Sequence, residues 1–240
     1  MDGSHSNPSI NLHMERISPD NIVQLFEKHG AAQAQSAQTS KQRLRQGPRK
    51  AYWCAGVPLE ADYVSIDLDT VDLWVLRALL ASPFRPRVLS VEYNCVYGAD
   101  AVAATVPNDP EARWNGDNTQ GASLAAIQMV AGEHGYTLAT LVPELDAFLV
   151  RDDLLAGVAK PQLVDFYDRA ACITLQHQPA TAESTARLLD YATWRQTGGD
   201  VEAARVALPE KLAAFGIDFS QPGGRLRPVR GLILQPSSSP

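Results

Sequence analysis

Asp67, Asp69 and Asp72 stand within one short stretch, and Glu92 and Asn94 follow after an intervening apolar segment. Carboxylates and an amide in that arrangement accept hydrogen bonds from a hydroxylated substrate, take its proton, or share a hard cation. The spacing matches no dedicated metal loop, so cation binding is the minor alternative and no metal ligand is assigned. Capping of the following helix, with Asp69 as N-cap and Asp72 in the first turn, accounts for two of these acids without any chemistry.

Two kinds of element must position them. Tyr63 to Leu68 is β-branched and aromatic, as a buried strand would be, and it runs directly into the acids. From Leu73 the apolar residues Leu73, Leu76, Leu79 and Leu80 recur at helical spacing, and Trp74 joins that face as core. A second strand-like run, Arg87 to Asn94, ends in Glu92 and Asn94. Strand, helix and strand make a βαβ unit, whose ligands lie outside the carboxyl ends of the strands. Asp67, Asp69, Asp72, Glu92 and Asn94 are therefore expected at one mouth.

The chain has 240 residues, enough for one α/β domain with additions. Its formal charge of −6 argues against a general nucleic-acid or anionic-membrane surface and favours small or neutral ligands. Cys54, Cys95 and Cys172 are far apart, which suggests free or buried thiols rather than a disulfide framework or a zinc site. With no apolar run of the ~20 residues needed to cross a bilayer and no signal peptide, the expected location is the cytoplasm. His5, His13, His29, His134 and His177 read as surface residues at helix ends or in loops.

Along the chain, Ile10 to Ile17 alternates like a half-buried strand, and Ser18-Pro19-Asp20-Asn21 opens a helix that stops at His29-Gly30. Residues 31–56 turn to Ala, Gln, Ser, Lys and Arg and read as an inserted loop. The segment from Tyr97 to Gln120 is a long polar loop beside the expected mouth. Gly121-Ala122-Ser123 opens a helix over Leu124 to Val130. The runs Tyr136–Val142 and Ala147–Val150 are joined so closely that only an antiparallel hairpin can connect them. Helical spacing then marks Gln162–Ala171, Thr185–Trp194 and Val201–Phe215, while Val229–Leu234 offers one more edge strand in a Pro- and Ser-rich tail.

Tyr63–Asp72, Pro86–Asn94, Gly121–Ala126, Gly135-Tyr136 and Ala147–Arg151, in that order and spacing, resemble the second half of FkbM-like class I S-adenosylmethionine-dependent methyltransferases. Asn21–Gly30 also resembles the helix that precedes this strand in that family. The resemblance implies a doubly wound, mostly parallel Rossmann-like α/β sheet ending in an antiparallel hairpin, over residues 1–158. A helical extension over 159–222 and a tail over 223–240 would follow. It further implies a transferase that uses S-adenosylmethionine to methylate a small molecule or glycan. Asp67, Asp69, Glu92 and Asn94 would be the catalytic residues, and Asp2 and Asp67 the cofactor contacts. Thr70 stands where the family has glycine, and the family's first strand and glycine-rich loop have no counterpart. The strand at Tyr63 would then lack its usual neighbour, a gap that Val229–Leu234 could fill, that closure of the two halves could remove, or that an incomplete gene product would leave. The competing expectation is a non-catalytic binding module, or a truncated pseudo-enzyme, of the same fold.

Overall fold

The structure, a computed structural model, describes residues 15–30, 57–98, 102–161 and 178–217 together with Phe219. Asp2, Cys54, Cys172, the 31–56 insertion, the helix expected over 162–171 and the strand expected over 229–234 lie outside these residues. So does most of the strand expected over 10–17, and its described part, 15–17, is not in a strand.

The elements that matter begin with α1 (Ile22–Gly30), β1 (Tyr63–Ile66), α2 (Asp72–Leu80) and β2 (Val88–Glu92). A two-residue strand, β3 (Ala104–Thr105), sits within the long polar loop and is followed by α3 (Leu124–Glu133), β4 (Tyr136–Leu141) and β5 (Asp146–Arg151). The C-terminal part contributes α4 (Ala182–Arg187), β6 (Leu189–Asp190), α5 (Tyr191–Gln196) and α6 (Val201–Ala214).

The main sheet has the order β1-β2-β5-β4. β1 and β2 are parallel, with Ile66 opposite Val91, as the βαβ pattern requires. β5 is antiparallel to both β2 and β4, which makes the expected hairpin. Among the described residues the sheet is thus mixed and mainly antiparallel, where the sequence suggested mainly parallel. The reason is connectivity: a four-residue link from Val142 to Leu145 cannot carry a parallel crossover, and β5 is the strand that enters beside β2.

Side chains alternate across the sheet. Ile66, Leu89, Val91, Leu138 and Leu149 share one face and join Leu73, Leu76, Leu79, Ile127 and Val130 of α2 and α3 in the main core. The opposite face carries Tyr63, Ser65, Ser90 and Phe148. There Tyr63 stacks on Phe148 at 6.5 Å, and its hydroxyl meets Ser90 Oγ at 2.6 Å. The second helical layer of a doubly wound fold is not seen among the described residues.

α3 starts where the sequence indicates, because Ser123 Oγ accepts from Ala126 N at 3.1 Å. The helix expected over Thr185–Trp194 is instead broken. Thr181 caps α4 and Asp190 caps α5, and between them Leu188 and Leu189 run extended and buried. That break lets β6 pair with β3 and ties the C-terminal helices to the long loop. Trp74 is core, as expected: its indole donates to Val106 O at 2.9 Å and packs edge-on against Tyr191 and Trp194.

Cys95 is buried, as one of the two expectations for the thiols allowed, but it corrects the reading that no disulfide is formed. It is fully buried and disulfide-bonded, and both other cysteines lie outside the described residues. Thiol usage therefore gives no support for a reducing compartment. Among the described residues no helix is long and apolar enough to cross a membrane.

Leu149 sits fully buried at the centre of the sheet face that meets the helices. Leu149→Ala should lower unfolding free energy by about 3 kcal/mol in urea titration. A loss below about 1 kcal/mol would mean that this sheet face is not the core.

Candidate functional site: an acidic mouth at the end of the parallel pair

With Ile66 opposite Val91, the next residues, Asp67 and Glu92, leave the sheet side by side. The chain then turns sharply at Asp69, whose φ of 61° lies in the left-handed region that aspartate tolerates better than most residues. The unusual angle therefore falls on Asp69 and not on Thr70, whose hydroxyl donates to Leu68 O at 3.3 Å.

Asp72 locks this turn. Its Oδ1 accepts from Leu68 N at 2.7 Å, back across the turn, and the residue is fully buried. Asp69 was expected to cap α2, but the N-cap is Val71, with no side-chain bond. The left-handed turn takes Asp69 out to solvent instead.

One carboxylate oxygen each from Asp67, Asp69 and Glu92 lie within 4.8 Å of one another. Asp67 and Asp69 are exposed, and Glu92 is half-buried. Asp146, the first residue of β5, pairs with Glu92 and adds a further acid. Among the described residues none of the ion pairs involves Asp67, Asp69, Asp72, Glu92 or Asp146.

Asn94 comes to the same end of β2 but is buried in other work. Its Oδ1 accepts from Val96 N at 2.9 Å, and its Nδ2 donates to Asn118 O at 3.1 Å and Gln120 O at 3.0 Å. It holds the loop that carries Gln120, and Gln120 Nε2 in turn donates to Glu92 Oε1 at 3.4 Å. The structure so brings together Asp67, Asp69 and Glu92, and gives Asn94 a positioning role. Gln120, Asp146 and the buried state of Asp72 escaped sequence reasoning. Only the long loop beside the mouth pointed toward Gln120.

Comparison with family models, with curated proteins and with solved structures finds no match to this chain. The site must be judged on its own geometry.

A glycine-rich strand-to-helix turn would let a nucleotide-like cofactor approach the backbone closely. None of the described strand-to-helix turns has that composition, and the turn after β1 carries side chains at every position. The cavity adjoining the mouth, lined by Thr70, Val106, Trp114, Asp117, Gln120 and Leu188, holds about 60 Å³. Pockets for small-molecule cofactors run to several hundred Å³, on the order of 300–1,000. A wider cleft of about 420 Å³, lined by Glu60, Arg85, Arg151 and Asp153 among others, lies at the opposite end of the sheet, away from these acids. The described residues therefore offer S-adenosylmethionine no glycine-rich cradle, and the cavity beside the mouth is smaller than such a cofactor needs.

Electrostatics follow from burial without counter-charge. Burial raises Glu92 to about 8, and Asp72, Asp67, Asp69 and Asp146 add repulsion. Asp72 rises to about 6, again mainly through burial, partly offset by its bond from Leu68 N. Asp146 is also raised, through burial and the nearby Asp67. An unfolded glutamate releases its proton near 4.5, whereas folded Glu92 keeps it up to about 8. Between those values the folded state binds more protons, so stability falls as pH rises. In chelator-treated buffer, thermal midpoints should decline from about pH 5 to about pH 8, and Glu92→Gln should flatten the upper part of that decline. A wild-type profile that rises across this window would contradict the assignment.

Proposed function

We propose that the acidic mouth is an acceptor site for a hydroxylated small molecule or glycan, in a methyltransferase-like α/β domain that transfers a methyl group to an acceptor oxygen. The observation that carries this reading is the convergence of Asp67, Asp69 and Glu92 on one point at the carboxyl end of the parallel pair. Asp67 and Asp69, open to solvent, accept hydrogen bonds from the acceptor's hydroxyl groups. Glu92 is the proton acceptor, since a carboxylate raised to about 8 is matched to work near neutral pH. Gln120 orients it through Oε1. The sheet order, with a parallel pair followed by an antiparallel hairpin, supports the same family reading.

The methyl donor expected from the resemblance is S-adenosylmethionine, and no step is drawn through it, because the described residues offer it no cradle. That misfit favours the second reading, a non-catalytic module of the same fold that binds its ligand at the same acids. Calorimetry of the full chain separates the two. Saturable heat with S-adenosylmethionine, weakened in Asp67→Asn, is the outcome expected of the enzyme. Absence of heat at millimolar cofactor removes the methyl-transfer reading and leaves the binding module.

A further inference from the structure

Three fully buried side-chain oxygens near the mouth have no hydrogen-bond donor: Asp72 Oδ2, Glu92 Oε2 and Gln120 Oε1. Gln120 is only 5% exposed and meets Glu92 through its amide nitrogen, which sets its unpartnered oxygen close to that carboxylate. Asp72 is fully buried, and its charge adds to the repulsion felt by Glu92. Buried acceptors without donors are rare in folded proteins and call for a specific compensating group, commonly a water or an ion. Here the orphans are all oxygens, one of them belongs to Glu92, whose carboxylate converges with those of Asp67 and Asp69, and no described lysine, arginine or histidine pairs with the acids.

We propose that Asp67, Asp69 and Glu92 bind one divalent cation, preferentially calcium, with Gln120 and Asp72 supporting the site from its buried side. The donors are all hard oxygens, which excludes a preference for soft or imidazole-seeking metals. The three ligand oxygens lie no more than 4.8 Å apart. Small side-chain movements bring such a set to the calcium–oxygen distance of about 2.3–2.6 Å, whereas magnesium demands about 2.0–2.1 Å and near-ideal octahedral order. Asp67 and Asp69 lie on a turn and can adjust, and Glu92 is held by the strand and by Gln120. The open side leaves room for water or for a ligand oxygen. With the ion in place Glu92 is a ligand rather than a free base. The ion site stands on this geometry alone and does not require the methyl-transfer reading.

The test uses the full chain stripped with a chelator and titrated calorimetrically with calcium chloride and, separately, magnesium chloride, without cofactor or acceptor. One site is expected, with calcium at least about tenfold tighter than magnesium and a higher thermal midpoint when calcium is bound. Glu92→Gln should weaken calcium binding at least tenfold while remaining folded, because it keeps the side chain's size and the oxygen that accepts from Gln120 Nε2. Asp67→Asn should weaken it likewise. Asp62→Asn, which removes an exposed acid at the other end of β1, should leave it unchanged. No saturable calcium heat at millimolar ion on folded protein would overturn the proposal, as would equal weakening by Asp62→Asn, which would mark a general charge effect. Failure of S-adenosylmethionine to bind would leave the ion site standing, and absence of calcium binding would leave the acceptor site to be judged by its own test.

Discussion

Unbalanced negative charge at the end of the β1–β2 pair is the constraint around which the surrounding structure is arranged. Parallel register leaves no choice about it: once Ile66 faces Val91, Asp67 and Glu92 must emerge together. Asp146 enters from β5 at the same level, and Asp72 comes up from beneath on α2. Like charges that close in a half-buried setting repel strongly, because the screening of bulk water is partly removed. Protons or a cation must make up the difference. The raised Glu92 and Asp72 are the proton form of that compensation.

Asp72 shows why the fold tolerates the crowding. Its bond from Leu68 N closes the turn between β1 and α2, so removing the acid would open the very turn that sets Asp67 and Asp69. One buried carboxylate is thereby structural and two exposed ones are free. Behind Glu92, the loop through Asn118 and Gln120 is held by Asn94, and the same loop is braced by Asn118 Nδ2 donating to Phe219 O at 3.1 Å. The pairing of β3 with β6 fastens that loop region to the C-terminal helices. The C-terminal segment thus shapes the wall beside the mouth, where Ser184, Arg187 and Leu188 line the adjoining cavity.

Much of this was legible from local chemistry. The β1–α2–β2 unit follows from a strand-length apolar run, a helical repeat and a second run, and the hairpin follows from a link too short for anything else. That Asp67 and Glu92 leave the sheet together follows from the parallel register alone, and the turn after Asp67 then brings Asp69 to them. What escaped was everything set by tertiary context. Asp69 has the residue type of an N-cap, but which acid caps and which turns outward depends on a single φ angle. Leu188 and Leu189 fit a helical repeat, yet burial on both sides favoured two extended residues between the caps at Thr181 and Asp190. Gln120 looked like loop polarity, and the partner that makes it part of the site lies 28 positions earlier in the chain. Cys95 could not be paired by spacing, because cysteines distant in sequence give no register.

The open edge of β1 bears on how a solute reaches the acids. A strand with nothing on its outer side would expose a row of backbone groups, each costing about 1–3 kcal/mol if buried without a partner. Among the described residues β1 is an edge strand, four residues long, and Tyr63 and Ser65 on it are exposed. Among the described residues no strand pairs with its outer groups. Exposed Asp62 and Asp67 flank it, and charges at the ends of a short edge discourage pairing with another chain. The exposed acids also set the order in which the mouth is reached. No described strand stands beside β1 to close off the mouth, so Asp67 and Asp69 face solvent while Glu92 and Asp72 lie deeper. A ligand or ion arriving from that side would meet the exposed acids first and would reach the buried oxygens only by shedding water.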